Sequence, residues 1–292
     1  MSEIKIEIKK RLRNLQSLPT LPPVVSKLTK MFGNENTTAP QLAKIIERDQ
    51  VLTSKVLKMV NSAFYGFPRR ISTVSNAIVL LGFNVIRTLV ITTSIFEMMQ
   101  SGDLSLWEHS LGVAAASGIL AQYLGLANPE EVTTAGLLHD LGKVVIRSEF
   151  PSLSQEISAL VKQKKIFIRE AEREILGGMD HSHIGQLLTN QWNLPERLTE
   201  PIAHHHEPSK SKKFFQETAV VHFADILIRA WGYGYSGDPW VPPLDEKAWE
   251  ALGLRFQDLE EIIPLLDERI LDLRFFTQEI RGEGFGQNNT LH

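Results

Sequence analysis

The 292-residue chain contains no cysteine. This absence excludes a disulfide-stabilised scaffold, iron–sulfur clusters ligated by thiolates and a cysteine nucleophile. It fits a reducing cytoplasm, where we expect the protein to act. An excess of charge of one sign is also missing, because 31 Lys and Arg residues face 34 Asp and Glu residues, for a net charge of −3. A chain this balanced, without a basic stripe, is not expected to bind nucleic-acid polymers.

Long hydrophobic runs are absent as well. Apolar stretches such as 77–81 and 119–126 end well short of the roughly 20 residues that a membrane span needs. Residues 1–5 mix acidic with basic side chains, so we expect no signal peptide there. The composition, 43% hydrophobic and 22% charged, is that of an ordinary globular protein with no membrane partner.

A third absence is the alternation of apolar and polar residues that is typical of half-buried strands. Apolar residues instead recur at helical spacing, for example over 42–60 and over 78–90. The second stretch is interrupted at Gly82, which can end one helix, and Asn84 can cap the next one. The sequence therefore predicts an all-α fold.

The nine histidines divide the chain, because none of them precedes residue 109. This asymmetry predicts an N-terminal helical subdomain over 1–100 and a histidine-bearing subdomain over 101–231, with a junction at 101–103. A turn-rich stretch that begins at Gly232 introduces a third region, a C-terminal helical extension over 232–292. No internal motif assigns a role to this extension.

Helical phase separates the histidines that face inward from those that face solvent. His109 shares an apolar stripe with the residues that follow it. The spacing over 132–143 predicts a single helix on which His139 and Asp140 both face the core. His181 lies among apolar neighbours, whereas His183 is rotated by about 200° and points outward.

The same reasoning applies to the histidine run at 204–206. His205 and His206 lie closer than His204 to the apolar face of their predicted helix. Asp225 lies beside the apolar stripe of the next predicted helix. The inward-facing set therefore consists of imidazoles and carboxylates only. Its members are His109, His139, Asp140, His181, His205, His206 and Asp225.

One core histidine is most often a hydrogen-bonded core residue and nothing more. A whole set of buried imidazoles and carboxylates is unfavourable unless the groups are paired or bind metal. Neutral imidazole suits Zn, Fe, Ni or Cu, and carboxylate oxygen suits Mn or Mg. The mixed set predicts two divalent transition-metal ions, with Fe or Mn favoured and Zn or Ni as alternatives.

The motifs around this set resemble a known superfamily. LLHDLGK at 137–143 resembles the His-Asp signature of the HD superfamily of all-α, metal-dependent phosphohydrolases. Further segments resemble the HDOD family, HD-related output modules of bacterial signalling proteins. These segments are LPTLP at 18–22, RDQVL at 48–52, VNSAFYG at 60–66, AIVLLG at 77–82 and QWNLP at 191–195. The resemblance covers roughly residues 15 to 230 and implies a multi-helix HD-superfamily bundle with an N-terminal helical subdomain.

HDOD domains generally lack part of the HD ligand set, whereas this chain keeps it. Carried over by motif from HD and HD-GYP enzymes, the ligands fall on the same seven positions that helical phase selects. The resemblance also implies that Asp140 and Lys143 would be the catalytic residues of an active member, with Lys143 holding the substrate phosphate. The segment 208–213 replaces the Gly-Tyr-Pro loop, and Ser105 stands where some HD-GYP sites carry Glu. These departures argue against cyclic di-GMP recognition of that type and favour two ions over three.

Two functions follow from the resemblance. The favoured one is a signalling module that binds a signalling protein partner or a phosphate-containing small molecule such as a nucleotide, with the metal site retained as a structural or sensory element. The alternative is an active phosphohydrolase or phosphodiesterase, in which two ions hold a phosphate and activate water. A plain helical scaffold fits least well, and the sequence leaves the oligomeric state open.

The segment 61–70 combines aromatic and basic residues between two predicted helices. Its aromatic side chains are expected to dock on the core of the protein. The sharper hypothesis is that the segment closes one wall of a groove in front of His139. Arg69 and Arg70 would then bind the carboxylate or phosphate of a ligand.

Overall fold

The computed structural model describes residues 3–14, 38–61, 65, 67, 69–83, 85, 86, 89, 90, 104–192 and 194–285. Within these ranges all regular structure is helical and no strand occurs, so the predicted all-α class is confirmed. No helix in the described part of the chain is both long and apolar enough to cross a bilayer. The motif at 18–22, the junction at 101–103 and Asn84 lie outside the described residues.

Capping residues and a glycine mark the ends of the N-terminal helices. The helices are α1 (Glu3–Asn14), α2 (Ala39–Ile46), α3 (Gln50–Val60) and α4 (Val74–Leu81). Asp49 separates α2 from α3, since its side chain accepts a hydrogen bond from the Leu52 amide at 3.0 Å and caps α3. Gly82 ends α4 with φ +82°, as predicted, in a conformation that favours glycine.

The histidine-bearing region is a bundle built around one central helix. Its helices are α5 (Leu104–Tyr123), α6 (Pro129–Leu138), α7 (Leu141–Glu149), α8 (Pro151–Lys164), α9 (Ile168–Ile175), α10 (His181–Gln191), α11 (Glu196–His204) and α12 (Phe215–Trp231). The central helix α5 is buried along most of its length and packs against α6 and α12. Gly136 lets α6 approach α5 closely, because a Cβ there would lie 2.6 Å from the Ser117 hydroxyl.

The C-terminal region packs against α5 and α12. A 3₁₀ turn at Pro208–Lys210 precedes α12. Two helices follow α12, namely α13 (Glu246–Leu252) and α14 (Phe256–Phe285). The long helix α14 packs on α5. Its buried face, with Ile262, Leu266, Ile270 and Leu273, follows the helical repeat.

The predicted single helix over 132–143 is wrong. The chain breaks at His139 and Asp140, since α6 ends at Leu138 and α7 begins at Leu141. The turn brings the start of α7 against the start of α10. Gly142 is needed at this crossing, because a Cβ there would overlap the His181 carbonyl group. The break therefore places the His139–Asp140 pair beside His181.

Candidate metal centre

The seven residues that helical phase selected lie together at the centre of the bundle. Six of them are no more than 3% exposed, and His206 is half-buried. They come from α5, the α6–α7 break, α10, the turn after α11, and α12. Their side chains form two groups of three with one carboxylate between them.

The first triad consists of His109, His139 and Asp225, whose donor atoms all lie within 4.8 Å of one another. The Asp225 Oδ1 atom is 3.1 Å from His109 Nε2 and 3.9 Å from His139 Nε2. Two imidazole nitrogens and one carboxylate oxygen thus converge on one point. Such a donor set suits a divalent transition-metal ion.

The second triad consists of His181, His205 and His206. His181 Nε2 lies 3.4 Å from His205 Nε2 and 2.8 Å from His206 Nε2. His205 and His206 do not share a helix with the residues before them, because α11 ends at His204. Helical phase selected these two residues although they lie in the turn beyond α11.

Asp140 lies between the two triads. Its Oδ2 atom is 3.3 Å from His139 Nε2 and 3.7 Å from His109 Nε2. Its Oδ1 atom is 3.3 Å from His181 Nε2 and 3.9 Å from His205 Nε2. One carboxylate oxygen therefore faces each triad, which is the placement that a carboxylate bridging two cations requires.

Several polar atoms at the centre have no hydrogen-bond partner. They are His109 Nε2, His139 Nε2, Asp140 Oδ1 and Asp225 Oδ1, and all four are buried. Leaving such atoms without a partner is unfavourable by about 1–3 kcal/mol each. A cation would satisfy all of them, so the residues present fit divalent metal ions.

Hydrogen bonds on the outer side of the imidazole rings fix their tautomers. His139 Nδ1 lies 2.7 Å from the Gly136 carbonyl oxygen, and His205 Nδ1 lies 3.0 Å from the Ile202 carbonyl oxygen. A carbonyl oxygen can only accept, so these Nδ1 atoms carry the proton and donate it. The neutral rings therefore direct the Nε2 lone pair towards the centre, as metal-ligating histidines do.

Burial and neighbouring charges set the protonation states. Burial lowers the pKa of His205 and of His206 well below the ordinary value, which favours the neutral, metal-binding form. Burial alone would raise the pKa of Asp140, but His139 and Lys143 hold it well below its usual range. Burial opposes a charge on His139 too, yet the Asp140 carboxylate raises its pKa. Metal binding must therefore compete with a proton at this ring.

Helix α9 supports the second triad through three side chains, Arg169, Glu172 and Arg173, which we call the α9 bracket. Glu172 is 1% exposed, and its Oε2 atom accepts hydrogen bonds from His181 Nδ1 at 2.6 Å and from the His181 amide at 2.9 Å. This contact fixes the tautomer and the orientation of the His181 ring.

The two arginines of the bracket reach the residues that flank the triad. Arg169 Nε and Arg173 Nε donate to Asp180 Oδ2 at 2.8 and 2.9 Å. Both guanidinium groups also donate to Glu207, from Arg173 at 2.8 Å. Asp180 precedes His181, and Glu207 follows His206, so α9 ties both segments together. Sequence reasoning missed the bracket, although its 169, 172 and 173 spacing places all three side chains on one helical face.

The first triad and Asp140 are supported from the opposite side. Lys143 is 2% exposed and donates to Asp140 Oδ2 at 2.8 Å and to the Ser236 carbonyl at 2.9 Å. Arg229 lies 3.4 Å from Asp225 Oδ2 and donates to Asp238 Oδ2 at 2.6 Å. The lysine predicted to bind phosphate is thus an internal partner of the Asp140 carboxylate.

Residues 232–238, which we call the strap, place Ser236 and Asp238 on this side of the centre. Gly234, with φ +69°, is in direct contact with the His109 backbone, and a Cβ at this position would overlap it. The Tyr235 amide donates to the carbonyl of Ser105 at 2.9 Å, in the first turn of α5. A glycine is therefore required where the strap crosses α5.

The other histidines of the described residues, His183, His204 and His222, lie outside the two triads. The His183 side chain is 46% exposed and lies 2.6 Å from Asp180, and His204 is half-buried at the end of α11. Neither belongs to a metal-binding group among the described residues. His222, which helical phase did not select, donates from Nδ1 to the His205 carbonyl at 2.7 Å and accepts from the Asp245 amide at 3.0 Å. It supports the backbone that carries His205.

The aromatic and basic segment lies partly outside the described residues. Tyr65 is 8% exposed, and its hydroxyl lies 3.3 Å from Thr134 Oγ1 on α6, so this aromatic ring docks on the core. Burial raises the pKa of Tyr65, which keeps the phenol neutral. Arg69 and Arg70 are exposed. No described contact places these arginines at the two triads.

Comparisons with known proteins show the family to which the chain belongs. The family model of the HDOD domain matches residues 18–208. An HDOD domain protein of unknown function from Geobacter sulfurreducens, solved by crystallography, has a TM-score of 0.69, 29% identity, and coverage of 95% of this chain and 98% of its own. An uncharacterized protein of Treponema pallidum is 27% identical over 224 residues, 74% of this chain. Ribonuclease Y of Thermus thermophilus is 31% identical over 123 residues, 42% of this chain.

The chain spans less than half the length of these curated relatives, 43% of the Treponema protein and 16% of the Thermus protein. The solved Geobacter domain, in contrast, is matched almost from end to end. The match of the HDOD family model over 18–208 is consistent with the helical bundle and with the His-Asp pair at the break between α6 and α7. Because that model covers more than half of the chain, the protein belongs to the HDOD family.

Proposed function

We propose that the protein is a bacterial HDOD signalling module that retains an HD-type centre for two divalent transition-metal ions. The observation that carries the proposal is Asp140, whose two oxygens face the two triads 3.3 Å from His139 and 3.3 Å from His181. The mixture of imidazole and carboxylate donors favours Fe or Mn, with Zn or Ni as alternatives.

In this proposal each triad holds one ion. His109, His139 and Asp225 would bind the first, and the three Nε2 atoms of the second triad would bind the other. Asp140 would contribute one oxygen to each. The α9 bracket and Lys143 keep these side chains in place whether or not a ligand approaches.

The environment of the centre favours the signalling role over catalysis. Lys143 is occupied by Asp140 and Ser236, and it is 2% exposed, so it is not presented to a substrate phosphate. Of the seven proposed ligands, only His206 is more than 3% exposed. An enclosed centre of this kind suits a structural or sensory ion, and the output would be the binding of a signalling protein or of a nucleotide.

Elemental analysis of the purified protein tests the metal centre. We expect about two transition-metal ions per chain, and loss of both in the double variant His139→Ala with Asp140→Ala. The matched control is His183→Ala, which removes an imidazole from the same region without touching either triad. A metal-free wild type, from a preparation never exposed to a chelator, contradicts the proposal.

The second candidate is a metal-dependent phosphohydrolase or phosphodiesterase. It is favoured by the complete donor set and by the 31% identity over 123 residues to proteins named ribonuclease Y, a name that assigns them RNA as a substrate. Two bound ions would supply Lewis-acid stabilisation of a phosphate. Lys143 would have to exchange its contact with Ser236 for one with the phosphate.

A substrate screen separates the two candidates. Phosphomonoesters, phosphodiesters, cyclic dinucleotides and short RNA are incubated with protein loaded with Mn or Fe. Turnover that disappears in Asp140→Asn and persists in His183→Ala establishes the hydrolase. Absence of turnover with a full complement of metal supports the signalling module.

A further inference from the structure

Asp238 of the strap is a buried carboxylate that lies outside both triads. Its side chain is 3% exposed, and among the described residues it belongs to no group of possible metal ligands. A buried charge is unfavourable unless it is paired. The two partners that pair Asp238 lie on α12 and α9, the helices that carry Asp225 and support His181, respectively. This one side chain therefore contacts the supports of both proposed ion sites.

The first partner is Arg229 on α12. Its Nη2 atom donates to Asp238 Oδ2 at 2.6 Å, whereas its Nη1 atom lies 3.4 Å from Asp225 Oδ2. The arginine side chain is 5% exposed, so it lies beside two buried carboxylates, and its shorter contact is to Asp238. Asp238 thus holds the cation away from Asp225.

The distance between Arg229 and Asp225 matters for the first ion. Asp225 is the carboxylate of the first triad, and its other oxygen, Oδ1, lies 3.1 Å from His109 Nε2. A guanidinium group that came closer to Asp225 would repel a cation bound there and would draw on the same negative charge. Such interactions are strong in a buried site, because salt and water screen them little. The affinity of the first triad for metal therefore depends on the contact that keeps Arg229 on Asp238.

The second partner is the first amide of α9. The Ile168 amide donates to Asp238 Oδ1 at 2.5 Å. The first amides of a helix have no partner within the helix, and a negative charge at this end is favourable. Asp238 thus anchors the start of α9 one turn before Glu172, the side chain that orients His181.

We propose that Asp238 is a positioning residue for both triads. It restrains Arg229 beside the first triad and anchors α9 beside the second, so the affinity of each ion depends on a side chain that is a ligand of neither. The proposal rests on the two-ion centre proposed above. It gives the strap, which follows the matched HDOD segment 18–208, a part in metal binding.

Asp238→Ala removes both contacts with one change. It leaves the Ile168 amide without this acceptor and allows Arg229 to approach Asp225. Asp238→Asn is the second variant, because it keeps the size of the side chain and removes the charge. The asparagine variant should therefore weaken the first triad even if the alanine variant does not fold.

Asp258→Ala is the matched control. Asp258 accepts hydrogen bonds from the Arg255 amide at 2.6 Å and from the Arg255 guanidinium group at 2.8 Å, so the change removes the same two kinds of contact. Asp258 lies 3.3 Å from the Tyr123 hydroxyl at the end of α5. His109 precedes Tyr123 by roughly four turns of this helix, or about 21 Å. The control is therefore remote from the centre.

Two single-site backgrounds measure the triads separately. His181→Ala should leave an ion at the first triad only, and His109→Ala should leave one at the second triad only. Competition with a chromophoric chelator gives the affinity of the remaining site for Mn(II) and for Zn(II). Adding Asp238→Ala should weaken the first site by about tenfold or more and the second by about threefold or more, because the second effect passes through the start of α9. Adding Asp258→Ala should change either affinity by less than about twofold.

Removal of the cation separates positioning from general stability. Arg229→Gln, added to Asp238→Ala, should return the first site to within about threefold of its background, because the group that repels the ion is gone. The second site should stay weak, since the Ile168 amide still lacks this acceptor. A loss of global stability would weaken both sites in the same way, and thermal unfolding of each variant measures that stability.

The result for the wild type distinguishes this role from the centre itself. A wild type without metal refutes the two-ion centre and this role with it. If the wild type binds metal, three results overturn the positioning role alone: unchanged affinity at either site in Asp238→Ala, an equal loss in Asp258→Ala, or no rescue of the first site by Arg229→Gln. Unchanged affinity of the first site in Asp238→Asn overturns it as well.

Discussion

From the contact between Glu172 and His181 we predict that removing the Glu172 charge weakens metal binding at the second triad. Replacing Glu172 by Gln keeps the shape of the side chain but removes its negative charge. The carboxylate accepts two hydrogen bonds from His181, at 2.6 Å from the ring and 2.9 Å from the amide. The neutral amide is a weaker acceptor for both, so the His181 ring loses part of its orientation and basicity.

The expected magnitude follows from the role of such outer contacts. Loss of an outer partner of a metal ligand typically weakens metal binding by about 10–100-fold. Among the described contacts, those of the α9 bracket reach the second triad and not the first. If two ions are bound as proposed, Glu172→Gln should reduce the metal content after dialysis from about two ions per chain towards one. Weakening a charge-assisted hydrogen bond should lower the free energy of unfolding by about 1–3 kcal/mol.

Glu174→Gln is the matched control on the same helix. Glu174 is 52% exposed and pairs with Lys164 at 2.7 Å on the surface. Its replacement should change the free energy of unfolding by less than about 1 kcal/mol and leave the metal content intact. Elemental analysis after graded dialysis and urea unfolding measure both quantities. If Glu172→Gln retains both ions as tightly as the wild type, α9 has no role in orienting His181.

Three further predictions follow from the centre. His181→Ala should lose metal and His183→Ala should not, because only His181 lies in a triad; equal losses in elemental analysis would refute this assignment. Gly142→Ala should lower the free energy of unfolding by roughly 3 kcal/mol or more, since its Cβ overlaps the His181 carbonyl, and an unchanged melting temperature would contradict the crossing. Metal should be held more tightly at alkaline than at acidic pH, because Asp140 raises the pKa of His139 and protonation of that ring removes a ligand lone pair. Metal content measured against pH checks this, and release only on the alkaline side would show that the sign is wrong.

The sequence predicted the helical class because that class depends on local periodicity. Helical phase also selected the seven residues that lie together, although His139, Asp140, His205 and His206 lie outside the helices. His181 and His183 lie in the same helix, so their phase difference separated a buried ring from one that is 46% exposed. Gly82 and Asp49 mark helix ends through backbone and capping chemistry that operates within a few residues. Signals of this range are readable without knowledge of the tertiary structure.

The break at His139 and Asp140 could not be predicted in the same way. Apolar spacing continues through the break because residues on both sides of it are buried, and burial is what periodicity reports. The need for Gly142 arises from the crossing of α7 and α10, a contact between segments about forty residues apart. For the same reason, charged residues of α9 give a pattern typical of a solvated helix, although Glu172 is 1% exposed.

The charged side chains around the centre limit how much positive charge two metal ions can add to it. Its acidic and basic side chains already pair with one another, as Asp140 does with Lys143 and Asp225 does with Arg229. Little negative charge is therefore left to offset metal ions. Two divalent ions held by neutral imidazoles would leave a buried excess of positive charge, which is unfavourable. An accompanying anion, such as a hydroxide ion or a phosphate group, would offset that excess, so the proposed two-ion centre implies a bound anion whether it acts as a catalyst or as a sensor.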